Sequence, residues 1–133
     1  MEKWLLQFNP DKCKQMTISR RPTFISERRE LIDPIQSLPI EIAPTSSERD
    51  LGVVIDDKIT FKGHIGGIIK KVNKLMGLIR RTFIYLDKEV FVPLYTSLVR
   101  SHLEYAQSVW SPHSKGGIRR LEQVQRNATR LVN

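Results

Sequence analysis

The chain has 133 residues, 40% of them hydrophobic, which suffices for one domain with an apolar interior or for two small linked units. No apolar run approaches the roughly 18 residues needed to span a bilayer, and a single cysteine, Cys13, excludes an internal disulfide framework and a multi-cysteine zinc site. The net charge of +8 is concentrated in residues 62–133, which hold 13 basic and 4 acidic residues against 9 and 10 in residues 1–61, so an anionic partner is expected for the second half.

In chain order, the N-terminal Met-Glu-Lys-Trp-Leu-Leu-Gln-Phe carries an early acid, breaks its apolar run at Gln7 and offers no small-residue cleavage site. A secretory leader is therefore not expected, and the setting is read as intracellular, nuclear or cytoplasmic. The sequon Asn127-Ala128-Thr129 is then fortuitous. Trp4 to Phe8 suit the last turns of a helix, stopped by the turn Asn9-Pro10-Asp11. Lys12 to Ser19 alternate in the manner of a half-buried strand. Residues 20–47 contain Pro22, Pro34, Pro39 and Pro44, which permit only loops and short edge strands, near Phe24-Ile25 and Ile40-Glu41-Ile42. Leu51-Gly52-Val53-Val54-Ile55 reads as a buried strand closed by a turn at Asp56-Asp57.

From residue 62 the period changes. Ile65, Ile68, Ile69, Val72, Leu75, Met76 and Ile79 fall on one helical stripe, and Lys70, Lys71, Lys74, Arg80 and Arg81 are expected opposite it. A second helix is expected from Asp87 or Pro93 to Trp110, burying Phe91, Leu94, Leu98, His102, Tyr105 and Val109, with Ser111-Pro112 as its stop. A third runs from about Lys115 toward the C-terminus. It buries Ile118, Leu121, Val124, Ala128 and Leu131 and exposes Arg119, Arg120, Arg126 and Arg130. The expected fold is α+β: a few short antiparallel strands in residues 1–58, then a three-helix bundle in residues 59–133.

Asp56-Asp57 is the tempting catalytic pair, since adjacent carboxylates can hold a metal with substrate phosphates. Neighbouring acids at a strand end are ordinarily turn formers, and only one of two adjacent strand side chains faces a given site. His64, His102 and His113 show no ligand spacing, and Cys13 has no partner pattern, so apolar packing is its expected role. No nucleophile elbow, phosphate loop or dinucleotide fingerprint occurs. No catalytic residue, resident metal or cofactor is expected. The basic faces of the first and third helices are the better functional candidates, because segregated cations can follow a nucleic-acid backbone while the opposite faces make the core.

Read together, WLLQFNPDKCKQMTIS, ERDLGVVID, HIGGIIKKVNKLMGLIRRTF and LYTSLVRSHLEYAQSVWSPHSKGGIRRLEQVQRNATRL resemble, in order and spacing, the jockey-like branch of LINE-type non-LTR retrotransposon reverse transcriptases. The resemblance omits residues 20–47, and Ser101 stands where a proline is common. It implies that the chain begins after the catalytic Tyr-x-Asp-Asp hairpin, which holds Mg²⁺ in the intact parent enzyme. Residues 1–58 then correspond to the end of the palm, with Leu51, Gly52 and Val53 in the primer-grip-like hairpin. Residues 59–133 correspond to the thumb, which contacts an RNA–DNA or DNA duplex through its backbone. The implied partners are that duplex and the missing fingers and palm, with no membrane. The rival expectation is a host-adapted helical protein-interaction module in which the cations only solubilise.

Overall fold

The computed structural model describes residues 9–19, 30–32 and 39–132. The helix expected at Trp4–Phe8 and the strand at Phe24-Ile25 lie outside them. Asn9 starts a tight turn in which the 3₁₀ segment Pro10–Lys12 follows, and Asn9 Oδ1 accepts from the Asp11 N–H at 3.1 Å. Only Lys14–Gln15 (β1) of the strand expected over Lys12–Ser19 forms a ladder, and it pairs in parallel with Ala43–Pro44 (β4), not antiparallel. Proline at Pro44 leaves β4 one donor short, which keeps this pair brief. Cys13 is half-buried, not packed in a core, and its Sγ donates to the Asn9 carbonyl at 3.3 Å. Glu30–Ile32 (β2) and Pro39–Glu41 (β3) form a second, antiparallel pair.

The third pair is a tight hairpin, Ser47–Asp50 (β5) with Val53–Asp56 (β6). Leu51 and Gly52, expected within the strand, instead form its two-residue turn, with φ of 44° and 84°. Two successive positive φ values are what a type I′ hairpin turn requires, one of the two turn types whose twist matches that of the flanking strands. Glycine accepts this conformation freely and leucine does not.

Helix α1, Lys62–Thr82, has the expected apolar stripe, with Ile65, Val72, Met76 and Ile79 buried. The second helical run begins at Asp87, whose carboxylate accepts from the Val90 N–H at 2.9 Å. It does not continue unbroken to Trp110. Helix α2, Lys88–Leu94, passes into a π-helical segment, Tyr95–Arg100, then α3, Ser101–Glu104. After a left-handed Ala106 (φ 52°) comes the short α4, Gln107–Trp110. Pro93 cannot donate to the carbonyl four residues back, and the Ser97 hydroxyl instead donates to the Pro93 carbonyl at 2.8 Å, so the helix widens directly after the proline. A π turn absorbs one extra residue. The buried positions therefore shift by one, from the expected Leu98 and His102 to Val99 and Leu103, while Leu98 stays exposed and His102 half-buried. The break at Ala106 likewise leaves Tyr105 and Val109 exposed and buries Trp110.

Helix α5, Lys115–Thr129, is capped by Ser114, whose hydroxyl accepts from the Gly117 N–H at 3.1 Å. A Cβ on Gly117 would lie 2.9 Å from Pro112 Cβ, so this turn requires glycine for close approach. Val124 and Ala128 are buried and Leu121 and Leu131 half-buried. Ile118, expected inside, is exposed because it borders an open groove beside Tyr95, Trp110 and Pro112. Helices and small sheets are thus segregated along the chain, an α+β arrangement. One core joins α1, the second run and α5 through Val72, Met76, Ile79, Phe91, Val99, Leu103, Val124 and Ala128. A second unites the hairpin with the helices through Val53, Phe61, Ile65 and Trp110.

Candidate nucleic-acid interface

Between Asp57 and Asp87 the sequence contains no acidic residue. That acid-free stretch includes all of α1, so no carboxylate on the helix neutralises its cations. At about 100° per residue, Lys70, Lys74 and Arg81 fall within a sector of about 40° directly opposite the buried stripe. Lys71 and Arg80, expected on that same face, sit on its two flanks. All five are exposed. Arg81 is steadied on its own helix, its Nε donating to the Gly77 carbonyl at 3.2 Å.

Helix α5 lies alongside α1 and runs in the same direction. A Cβ on Gly66 would meet Arg120 Nη2 at 3.8 Å and one on Gly117 would meet Ile65 Cδ1 at 3.7 Å, while at the other end Arg80 and Arg130 border one groove. Parallel placement puts the two basic faces side by side. Arg119 and Arg130 are exposed, and among the described residues neither they nor Arg120 has an acidic partner. Arg126 faces Glu122 on its own helix at 3.8 Å, a surface pair that removes little of its charge from an incoming phosphate. The structure therefore gathers Lys70, Lys74, Arg81, Arg80, Arg120 and Arg130 on adjoining faces of α1 and α5 and sets Lys71 apart.

Lys71 looks toward the hairpin, where it borders a groove with Arg49, Leu51, His64, His102 and Tyr105. Of these, Lys71 and Leu51 are site residues expected from the sequence, and Arg49 is not. The hairpin is anchored at two points. In a two-residue hairpin Arg49 and Val54 form the pair that exchanges no hydrogen bonds, so the Val54 N–H points outward from the ladder. It donates to His64 Nδ1 at 3.2 Å, an imidazole standing in for a missing neighbouring strand. The acceptor role of Nδ1 makes the neutral Nε2 the proton carrier, and Nε2 is buried without a partner among the described residues. Burial, then the charge of Arg49, hold the His64 imidazole below its ordinary pKa. Its ring meets the Trp110 ring edge-to-face at 5.4 Å, and Trp110 Nε1 donates to the Tyr105 carbonyl at 2.6 Å. Tyr105 Oη in turn donates to the Leu51 carbonyl.

Asp56 is occupied locally. Its carboxylate accepts from the backbone N–H groups of Lys58, Thr60 and Phe61, at 3.1, 3.0 and 2.7 Å, and from the Thr60 hydroxyl at 3.1 Å. Burial pushes its pKa up, but these hydrogen bonds together outweigh that and hold the carboxyl below the usual range. The turn so formed launches α1 while holding Ile59 and Phe61 at φ of 52° and 53°. Among the described residues no three His, Cys, Asp or Glu side chains gather as a metal-holding group, and no helix is long and apolar enough to cross a membrane. No family model, curated protein or solved structure matches the chain.

Proposed function

We propose that this chain is the C-terminal part of an RNA-directed DNA polymerase of a jockey-like non-LTR retrotransposon, retaining the duplex-holding thumb but not the catalytic centre. In this reading residues 1–58 are a partial palm with a primer-grip-like hairpin at Leu51, Gly52 and Val53, and residues 59–133 are a three-helix thumb. The observation that carries the binding function is the outward face of α1, where Lys70, Lys74 and Arg81 stand together on an acid-free helix beside the arginines of α5. Cations so placed, with the apolar stripe buried behind them, suit contact with successive phosphates and provide no reader of base edges. The Tyr-x-Asp-Asp motif does not occur in the sequence, and Asp56 already accepts four hydrogen bonds in its own turn, so nucleotidyl transfer is assigned to the parent enzyme alone.

A titration with RNA–DNA hybrid duplex at two salt concentrations tests the reading. Replacing Lys70, Lys74 and Arg81 by Gln should weaken binding across all duplex sequences and lower the log–log salt slope by roughly 2–3 units. An unchanged slope in the folded variant would overturn it in favour of a protein-interaction module whose cations only solubilise.

A further inference from the structure

The loop joining α1 to α2 presents two large side chains to water. Ile84 is 90% exposed and Tyr85 91%. They stand where the basic faces of α1 and α5 end, and Ile84 forms one wall of an open groove of about 680 Å³ that also exposes Asn73, Arg80, Phe83, Asn127 and Arg130. That volume lies within the range of about 300–1,000 Å³ that small ligands occupy. Among the described residues no acidic one borders it.

The lining is of three chemical kinds. Arg80 and Arg130 offer planar, forked donors suited to phosphate oxygens. Asn73 carries a donor and an acceptor that can meet the edge of a nucleobase, and Asn127, whose Oδ1 already accepts from Gln123 Nε2 at 2.8 Å, offers its amide N–H groups as donors. Phe83 and Ile84 supply flat or aliphatic surface for the π-face of a base, an interaction tolerant of base identity, and Tyr85, next in the chain, is exposed to water without lining the groove. A paired base in the middle of a duplex hides both its faces and its pairing edge, so only an unpaired one can use this combination.

We propose that the groove takes an unpaired nucleotide at the end of a nucleic-acid duplex, with Arg80 and Arg130 on its phosphates and Ile84 and Tyr85 against its base. The inference rests on the duplex-holding reading above and adds to it a preference for a strand end. A lipid surface fits less well, because the apolar stripes of α1 and α5 are buried in the core, and a two-residue tip leaves little to insert where interfacial helices expose a whole face.

Fluorescence anisotropy with the full chain decides between these outcomes, using a blunt RNA–DNA hybrid, the same hybrid with a single-stranded extension of a few nucleotides, and vesicles of mixed phosphatidylcholine and phosphatidylserine. The extension should tighten binding by at least about fivefold, the lower end of what one stacked base contributes. In the double variant Ile84→Ser, Tyr85→Ala that gain should vanish while blunt-duplex affinity stays as it was. Both side chains are solvent-exposed, so folding should persist, with circular dichroism as the check. Equal affinity for the two hybrids, or a gain that survives in the variant, would overturn the strand-end preference and leave duplex holding intact. Failure to bind either hybrid would overturn both readings together. Vesicle binding that the double variant abolishes, with no gain from the extension, would assign the tip to membranes.

Discussion

Tyr105 donates a hydrogen bond from its phenol to the carbonyl of Leu51 at 2.8 Å, joining the hairpin tip to the break in the second helical run. The two residues are 54 positions apart. The same ring covers the turn, since a Cβ on Gly52 would lie 3.4 Å from Tyr105 Cε1. Tyr105→Phe keeps the ring and removes the bond. It should destabilise the protein by about 0.5–1 kcal/mol, the lower part of the usual range because the tyrosine is half exposed. Hydrogen exchange should quicken in residues 53–55 and stay unchanged in the middle of α1, and unaltered hairpin protection would show that the bond does not hold the tip.

Leu51 has an unfavourable backbone for its side chain and is 83% exposed, so little packing opposes its replacement. Leu51→Asn creates the Asn-Gly pair favoured in type I′ turns and leaves the carbonyl available to Tyr105. The variant should gain about 0.5–1 kcal/mol in denaturant unfolding. A loss would mean that the leucine side chain has a packing role.

The His64 imidazole has a lower pKa in the folded chain than its ordinary value of 6.5, through burial and then through Arg49. The unfolded chain therefore binds the proton more readily, and stability rises with pH across this window. The contribution is fully present above the unfolded pKa and is lost as pH falls from there through the folded pKa. Thermal melts should show Tm dropping below about pH 6.5, with a flatter profile in His64→Gln. An identical profile in the variant would remove His64 as the cause.

Asp56→Ala should destabilise the chain by about 1–2 kcal/mol, because the N–H groups of Lys58, Thr60 and Phe61 lose a common acceptor at the start of α1. Its folded pKa is below the ordinary 3.8, so its contribution is present above the unfolded pKa and lost as pH falls through the folded one. The stability gap between wild type and variant should close in that acidic window. Duplex affinity near neutral pH should be unaffected, and a large loss there in the folded variant would give Asp56 a part in binding.

The purified chain should not extend a primer on an RNA template with Mg²⁺ and deoxynucleotides. Extension that Asp56→Ala abolished, in a variant still folded by circular dichroism, would reject the assignment to a region beyond the catalytic hairpin.

The stripe of α1, the cap at Asp87 and the start of α5 were readable because each has a local cause: a 3.6-residue period or a side chain able to accept from the third N–H onward. Val99, Leu103 and Trp110 were not readable as the buried set, because a period-based reading assumes uniform helix and the π segment after Pro93 breaks it. The Leu51-Gly52 turn was obscured because leucine rarely takes positive φ, and what supports it there is Tyr105, far along the chain. For the candidate interface, the charge of each helix was legible from composition. The parallel approach of α1 and α5, which brings Arg120 over Gly66 and Arg80 to the same groove as Arg130, is a tertiary relation. So is the exposure of Ile84 and Tyr85, two apolar residues that a pattern reading leaves unassigned.

The π segment Tyr95–Arg100 also governs how the gene can change length. One surplus residue is stored there, between Phe91 upstream and Val99 and Leu103 downstream. Deleting an exposed member such as Thr96 would convert the widened turn to ordinary α-helix and return both flanking sets to one phase, so that codon is dispensable to the fold. A single deletion at mid-helix in α1 has no such reservoir. It would swing everything beyond it by about 100°, bringing Gly77 and Arg80 into the buried places of Met76 and Ile79.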